Sequence, residues 1–178
     1  MVRFARPLTL FLLALTVCAQ ETPVVAPPPP PQEGPKVGQP IPDLAATNEA
    51  GETVRLASFK GRRVGLFFFP KSFTPGCTAE SCGFRDEHAR YIEKGVVVLG
   101  ASRDTPEELK KFKEQYNLPY SLLSDQRGEL ARALGVTPGA RQTVIIGPAG
   151  VLERVITQVT AKTHPEDLLA ELQKAATK

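Results

Sequence analysis

Short apolar runs separated by longer mixed stretches organise the chain beyond residue 60. Gly65-Leu-Phe-Phe-Phe69, Gly95-Val-Val-Val-Leu-Gly100 and Thr143-Val-Ile-Ile-Gly147 are each too short for a helix and rich in β-branched or aromatic residues. They read as strands buried on both faces. Val151–Val155 follows the third run across Gly147-Pro-Ala-Gly150, a hairpin signal. The stretches between them carry helical patterns. Thr78–Lys94 sets Phe84, Ala89 and Ile92 among charges. Thr105-Pro-Glu-Glu108 opens a helix with proline in its first turn and runs to about Tyr116. Gln126–Leu134 is short, and His164-Pro-Glu-Asp167 opens a last helix ending near Ala176. Strand–helix alternation with a late hairpin predicts an α/β domain built on a central mixed β-sheet flanked by helices. There is no internal repeat.

The first 35 residues have a different pattern. Residues 1–19 read as an export signal, with Arg3 and Arg6 as a positive start, the apolar run Leu8–Val17, and small residues after it. That run is about half of the ~20 apolar residues needed to span a bilayer, so a permanent membrane helix is not expected. Two processing routes stand side by side. Cleavage after Ala19 releases a chain starting at Gln20; a lipobox reading of residues 1–17 makes Cys18 the lipidated first residue, a membrane anchor. Both expect an exported protein of the periplasm or cell envelope. Residues 20–35, with Pro23, Pro27–Pro31 and Pro35, form a proline-rich linker that favours extended polyproline II. Residues 36–178 are the working domain.

Charge narrows the partner class. The full chain of 178 residues carries a net charge of +3. Residues 1–19 hold two arginines and no acid, so without them 20 basic residues face 19 acidic ones. Near-neutrality argues against a general nucleic-acid binder and for a small-molecule or protein partner.

Export removes or lipidates Cys18, leaving Cys77 and Cys82 in the domain. Two cysteines in an oxidising compartment ordinarily suggest a structural disulfide. The helical pattern that begins at about Cys77 resists it. Five residues along an ideal helix separate Cα atoms by roughly 8–9 Å, and a disulfide needs them within about 7 Å. A Cys77–Cys82 bond therefore requires the helix to unwind, which suits a redox switch better than a staple. A cysteine in a first helical turn also meets unpaired backbone N–H groups and the positive end of the dipole, both of which favour thiolate. A fast reaction needs further stabilisation of charge in the transition state. Thr74 offers a hydroxyl; Arg141, just before the Thr143 strand, and Arg85, two turns along the helix, are the candidate cations.

The stretch Phe69-Pro70-Lys71-Ser72-Phe73-Thr74-Pro75-Gly76-Cys77-Thr78-Ala79-Glu80-Ser81-Cys82 resembles the active-site segment of the peroxiredoxins. Pro70, Thr74 and Cys77 match their Pro-x-x-x-Thr-x-x-Cys signature, and a second cysteine five positions on resembles the Q-type branch, the bacterioferritin comigratory proteins. The likeness covers about residues 36–175 and includes Phe84-Arg85-Asp86, Leu123-Ser124-Asp125 and Arg141-Gln-Thr-Val-Ile-Ile146. Phe73 stands where Q-type members often have a polar residue. The resemblance implies a thioredoxin-like fold and a thiol peroxidase acting on hydrogen peroxide or alkyl hydroperoxides. It implies Cys77 as peroxidatic cysteine, Cys82 as resolving cysteine and a Cys77–Cys82 redox disulfide. Thr74 and Arg141 would hold the peroxide, and Pro70 would shield the sulfur. It further implies a thioredoxin-like reductant, a monomer or weak dimer, and no metal or organic cofactor.

Other residues divide between bland and chemical readings. Glu80 is either a solvated helix charge or a hydrogen-bonding group that orders the loop. Arg85 is either a surface charge or a partner orienting the site. His88 reads as a surface histidine, His164 as a helix N-terminal residue, and Phe67–Phe69 as core strand. A disulfide oxidoreductase would favour Cys-x-x-Cys and a copper carrier Cys-x-x-x-Cys; here four residues separate the cysteines.

Overall fold

A computed structural model of the protein describes residue 1 and residues 34–176. The expected export signal, Cys18 and the proline-rich linker up to residue 33 lie outside the described residues. From residue 34 the chain forms β1 (Ala45–Asn48), β2 (Thr53–Arg55), a 3-10 turn (Leu56–Phe59), β3 (Arg63–Phe68), α1 (Pro75–Asp86), α2 (His88–Glu93) and β4 (Val96–Ser102). Then come α3 (Pro106–Tyr116), β5 (Ser121–Ser124), α4 (Glu129–Ala133), β6 (Gln142–Ile146), β7 (Leu152–Ile156) and α5 (His164–Ala176). The seven strands lie in one sheet in the order β2-β1-β5-β4-β3-β6-β7. β3, β4 and β5 are parallel, while β1, β2, β6 and β7 pair antiparallel with their neighbours. This is the mixed α/β sheet expected from the pattern.

The strand at the centre shows why the apolar run is continuous. β3 alternates between two cores: Val64, Leu66 and Phe68 enter one, Phe67 and the following Phe69 the other. The first core collects Leu99, Val144, Ile146 and Leu152 with Leu130 and Leu134 beside α4. The second packs the aromatic rings against α1, α2, α3 and α5 through Phe84, Tyr91, Phe112 and Leu168. α3 starts as read, with a reciprocal capping box in which Thr105 Oγ1 accepts from Glu108 N and the Glu108 carboxylate accepts from Thr105 N. The β6–β7 hairpin turns at Gly147–Gly150, where Gly150 holds φ 74°.

Three differences from the sequence reading have physical causes. The stretch 78–94 is two helices: α1 ends at Asp86 and α2 begins at His88, with Glu87 between them at φ −88° and ψ 0° and no Gly or Pro at the break to signal it. The break turns α2 so that Tyr91 is fully buried and donates its hydroxyl to Pro165 O at 2.6 Å. The short helix is trimmed to Glu129–Ala133: Gly128 takes φ 68° and the Asp125 carboxylate accepts from Leu130 N and Ala131 N. Strands β1, β2 and β5 were not expected. They are three or four residues long, too short for a pattern, and are strands only because neighbours complete their hydrogen bonding.

Candidate active site

α1 begins immediately beyond the loop that leaves β3. Thr74 is its N-cap in extended conformation, Pro75 and Gly76 form the first turn, and Cys77 is the third helical residue. The loop before it is held tightly. The buried Asp104 carboxylate accepts from Ser72 N at 2.7 Å and from Ser102 Oγ at 2.8 Å, and Ser124 Oγ donates to Asp104 O. Phe73 sits at φ 63°, a left-handed conformation costly for a bulky residue. Its ring, though largely exposed, packs on Phe112 and Tyr116 of α3. Pro70 is an exposed residue at the start of this loop.

Cys77 is 1% exposed, and Arg141 Nη2 donates to its sulfur at 3.2 Å. Gly76 permits the approach: a Cβ there would stand 3.3 Å from Arg141 Nη2. The other guanidinium arm, Nη1, pairs with Glu80 Oε2. Glu80 lies one turn beyond Cys77 and is fully buried, so the solvated-charge reading is corrected. Its second oxygen, Oε1, accepts from His164 Nδ1 at 2.8 Å. On the other side of the ring, Thr143 Oγ1 lies 3.2 Å from His164 Nε2. Arg141 and Thr143 are two residues apart beside β6, so both side chains lie on one face. Burial lowers the Arg141 pKa, but Glu80 and the Cys77 sulfur outweigh it and the net shift is upward. The guanidinium is therefore a permanent cation at the sulfur.

The structure decides between the two cations. Arg85 turns away from Cys77: its Nε pairs with Asp86 and its Nη1 donates to Tyr116 O at 2.9 Å. Thr74 Oγ1 donates to Lys71 O at 3.0 Å, and among the described residues it makes no hydrogen bond to the sulfur. Cys82 lies on the same helix, half-buried, and both cysteines are free thiols. Five residues turn Cys82 about 140° around the helix from Cys77.

Residues 37–155 match the family described as AhpC/TSA. The chain belongs to that family. Among its relatives, "Peroxiredoxin Bcp" of Bacillus subtilis is 38% identical over 154 residues, covering 80% of this chain and 98% of that protein. "Peroxiredoxin Q, chloroplastic" of Populus jackii is 34% identical, covering 76% of this chain and 67% of that one. The crystal structure of peroxidoxin BcpB from Mycobacterium tuberculosis superimposes with TM-score 0.72 at 30% identity, over 78% of this chain and 97% of that one. The bacterioferritin comigratory protein of Xanthomonas campestris, described there for its alkyl peroxide reduction, gives TM-score 0.73 at 26% identity, over 79% and 99%. The protein is thus a peroxiredoxin of the Q-type, bacterioferritin-comigratory branch, with the thioredoxin-like fold of that family. Its activity is that of a thiol peroxidase, an antioxidant oxidoreductase working through cysteine chemistry.

Sequence reasoning placed Cys77, Glu80 and Arg141 in or near this peroxiredoxin site but missed His164 and Thr143 as members. His164 is the first residue of α5, as read, yet it is 3% exposed and lies 84 residues from Glu80. No local spacing could have linked them. His88 is half-buried against the Tyr120 ring rather than at the surface, and burial lowers its pKa.

Proposed function

We propose that this peroxiredoxin reduces hydrogen peroxide and organic hydroperoxides with Cys77 as nucleophile and Cys82 as intramolecular resolving thiol, and that a thioredoxin-like dithiol recycles it. The observation that carries the reading is the Arg141 Nη2 contact with a buried Cys77 sulfur in the first turn of α1. The fixed cation and the helix N-terminus favour thiolate and stabilise the charge that develops as the O–O bond stretches. Thr74, its proton engaged by Lys71 O, has lone pairs left to accept from a peroxide O–H.

In the first step the sulfur attacks one peroxide oxygen and the O–O bond breaks. The departing oxygen leaves as water or alcohol after taking a proton, and Cys77 becomes a sulfenic acid. Cys82 thiolate then attacks that sulfur; the S–S bond forms and the sulfenic oxygen leaves as water. The dithiol reductant supplies two electrons and two protons by exchange and departs as its own disulfide. The positive start, short apolar run and proline-rich linker in residues 1–35 support a site of action in the cell envelope, reached by release at Gln20 or by lipidation at Cys18.

The test is turnover of purified protein with peroxide, a thioredoxin and its reductase, followed by peptide mapping after one equivalent of peroxide. Wild type should consume peroxide and yield a Cys77–Cys82 peptide pair. Cys77→Ser should abolish consumption, because an alcohol is a poor nucleophile at neutral pH. Near-normal turnover by that variant, or a Cys77–Cys77 dimer as the main oxidised product, would sink the mechanism.

A further inference from the structure

The chain Thr143–His164–Glu80–Arg141–Cys77 ends in two members with no role so far, His164 and Thr143. His164 touches neither the sulfur nor the space beside it, yet it is buried and hydrogen-bonded through both ring nitrogens. Its surroundings are specific: Glu80 and the edge-on Phe84 ring from α1, and Thr143 from β6. We propose that His164 is a positioning residue for the peroxidase reaction, splitting the Arg141 fork between Glu80 and Cys77 by occupying the carboxylate oxygen that Arg141 would otherwise take. The proposal rests on Cys77 as the reactive thiol.

A guanidinium facing a carboxylate with both oxygens open settles into a two-armed, parallel pair. Here Arg141 uses only one arm on Glu80, through Nη1 to Oε2, and the other arm donates to Cys77 Sγ at 3.2 Å. His164 Nδ1 takes the Oε1 side of the carboxylate at 2.8 Å and so competes with Arg141 for it. Thr143 Oγ1 lies 3.2 Å from Nε2 and, as a donor to it, leaves the proton on Nδ1. Remove the imidazole, and Glu80 keeps a buried oxygen without a donor. The nearest remedy is rotation of Arg141 onto both oxygens, which takes Nη2 from the sulfur. Thr143 and His164 thereby act on Cys77 through Glu80 and Arg141, without contact with the reacting atoms.

The experiment reads the thiol itself, so it does not depend on turnover. Thiolate absorbance and iodoacetamide alkylation of Cys77 across pH are measured in a Cys82→Ser background for His164→Leu, His164→Asn and His164→Gln. His164→Leu should show less thiolate at neutral pH and about tenfold slower reaction with peroxide, the scale of losing one charge-assisted hydrogen bond. An asparagine amide falls near Nδ1 and should restore the donor to Glu80, keeping the thiolate within about twofold of wild type. A glutamine amide falls nearer Nε2 and should behave like leucine; this comparison stands even where His164→Leu does not fold. In a Glu80→Gln background the side chain offers a single acceptor oxygen, so His164→Leu should have no further effect on the thiolate. Equal behaviour of the Asn and Gln variants, an unchanged thiolate in folded His164→Leu, or the same loss in both Glu80 backgrounds would overturn the proposal. Failure of wild type to consume peroxide would instead overturn the peroxidase reading and leave the thiol measurements interpretable.

Discussion

Arg141 and Arg85 look equivalent as sequence, each a single cation within reach of Cys77 on paper. Only Arg141 reaches the sulfur, and it does so from the residue just before β6, 64 positions along the chain. Arg141→Met should therefore slow Cys77 oxidation by about 10²–10³, as loss of one active-site electrostatic donor does elsewhere. Arg85→Met, which severs contacts to Asp86 and Tyr116 O only, should leave that rate within a few-fold. Stopped-flow rates with hydrogen peroxide compare the two, and a crippled Arg85 variant beside an active Arg141 variant would reverse the assignment. His88 carries a second residue-scale expectation. Burial lowers its folded-state pKa, so between that value and the ordinary ~6.5 the unfolded chain binds more protons than the native one. Stability should therefore fall as pH drops through this window. Urea midpoints at pH 7.5 and 5.5 should draw apart more for wild type than for His88→Gln.

On the proposed mechanism α1 does two incompatible things. In the thiol state it is one continuous helix from Pro75 to Asp86, fastened at several points. Phe84 stacks on Phe67 with ring centroids 4.4 Å apart, and Tyr120 donates its hydroxyl to Ser81 O at 2.7 Å. Burial raises the Tyr120 pKa well above the usual phenol value, so it remains a neutral donor. Glu80 ties the helix to α5 through His164, and Gly83 packs so closely that a Cβ would meet Pro165 Cγ at 2.8 Å. A Cys77–Cys82 bond cannot form across an ideal helix, so the proposed disulfide requires fastenings between the two cysteines to release. Amides of Thr78–Phe84 should be protected from hydrogen exchange in the reduced protein and exchange faster in the disulfide form. Equal protection in both states would exclude an intramolecular switch.

At the scale of the molecule, β3 is shared by both cores, as β4, β5 and β6 are. Its side chains alternate between the two layers, and the loop at its end delivers Thr74 and Cys77 to the site. Phe67 is 1% exposed and touches Phe69, Phe84 and Tyr120. Phe67→Ala should cost about 3–5 kcal/mol of stability, in the range for deleting a buried ring. Because the ring lies under α1, the same variant should loosen the Cys77 helix and speed disulfide formation relative to wild type. Denaturant melts and the rate of resolution after a peroxide pulse measure the two effects separately.

The sequence by itself determined whatever is written in contiguous residues. The continuous apolar runs of β3, β4 and β6 announce strands buried on both faces, Thr105 and Glu108 announce the start of α3, and the Pro75-Gly76-Cys77 stretch announces a helix start at the cysteine. The spacing of Cys77 and Cys82 likewise carried the conflict between helix and disulfide. Tertiary structure alone decided the rest. Strands β1, β2 and β5 exist because neighbouring strands satisfy their backbone groups, and the break at Glu87 accompanies the Tyr91 hydrogen bond to Pro165 O. Which arginine serves the sulfur, and that Glu80 and His164 stand behind it, depends on β6 and α5 returning beside α1. Contacts across 61 to 84 residues leave no periodicity for local reading, since only the closed sheet brings those charges together and removes the water that would otherwise screen them.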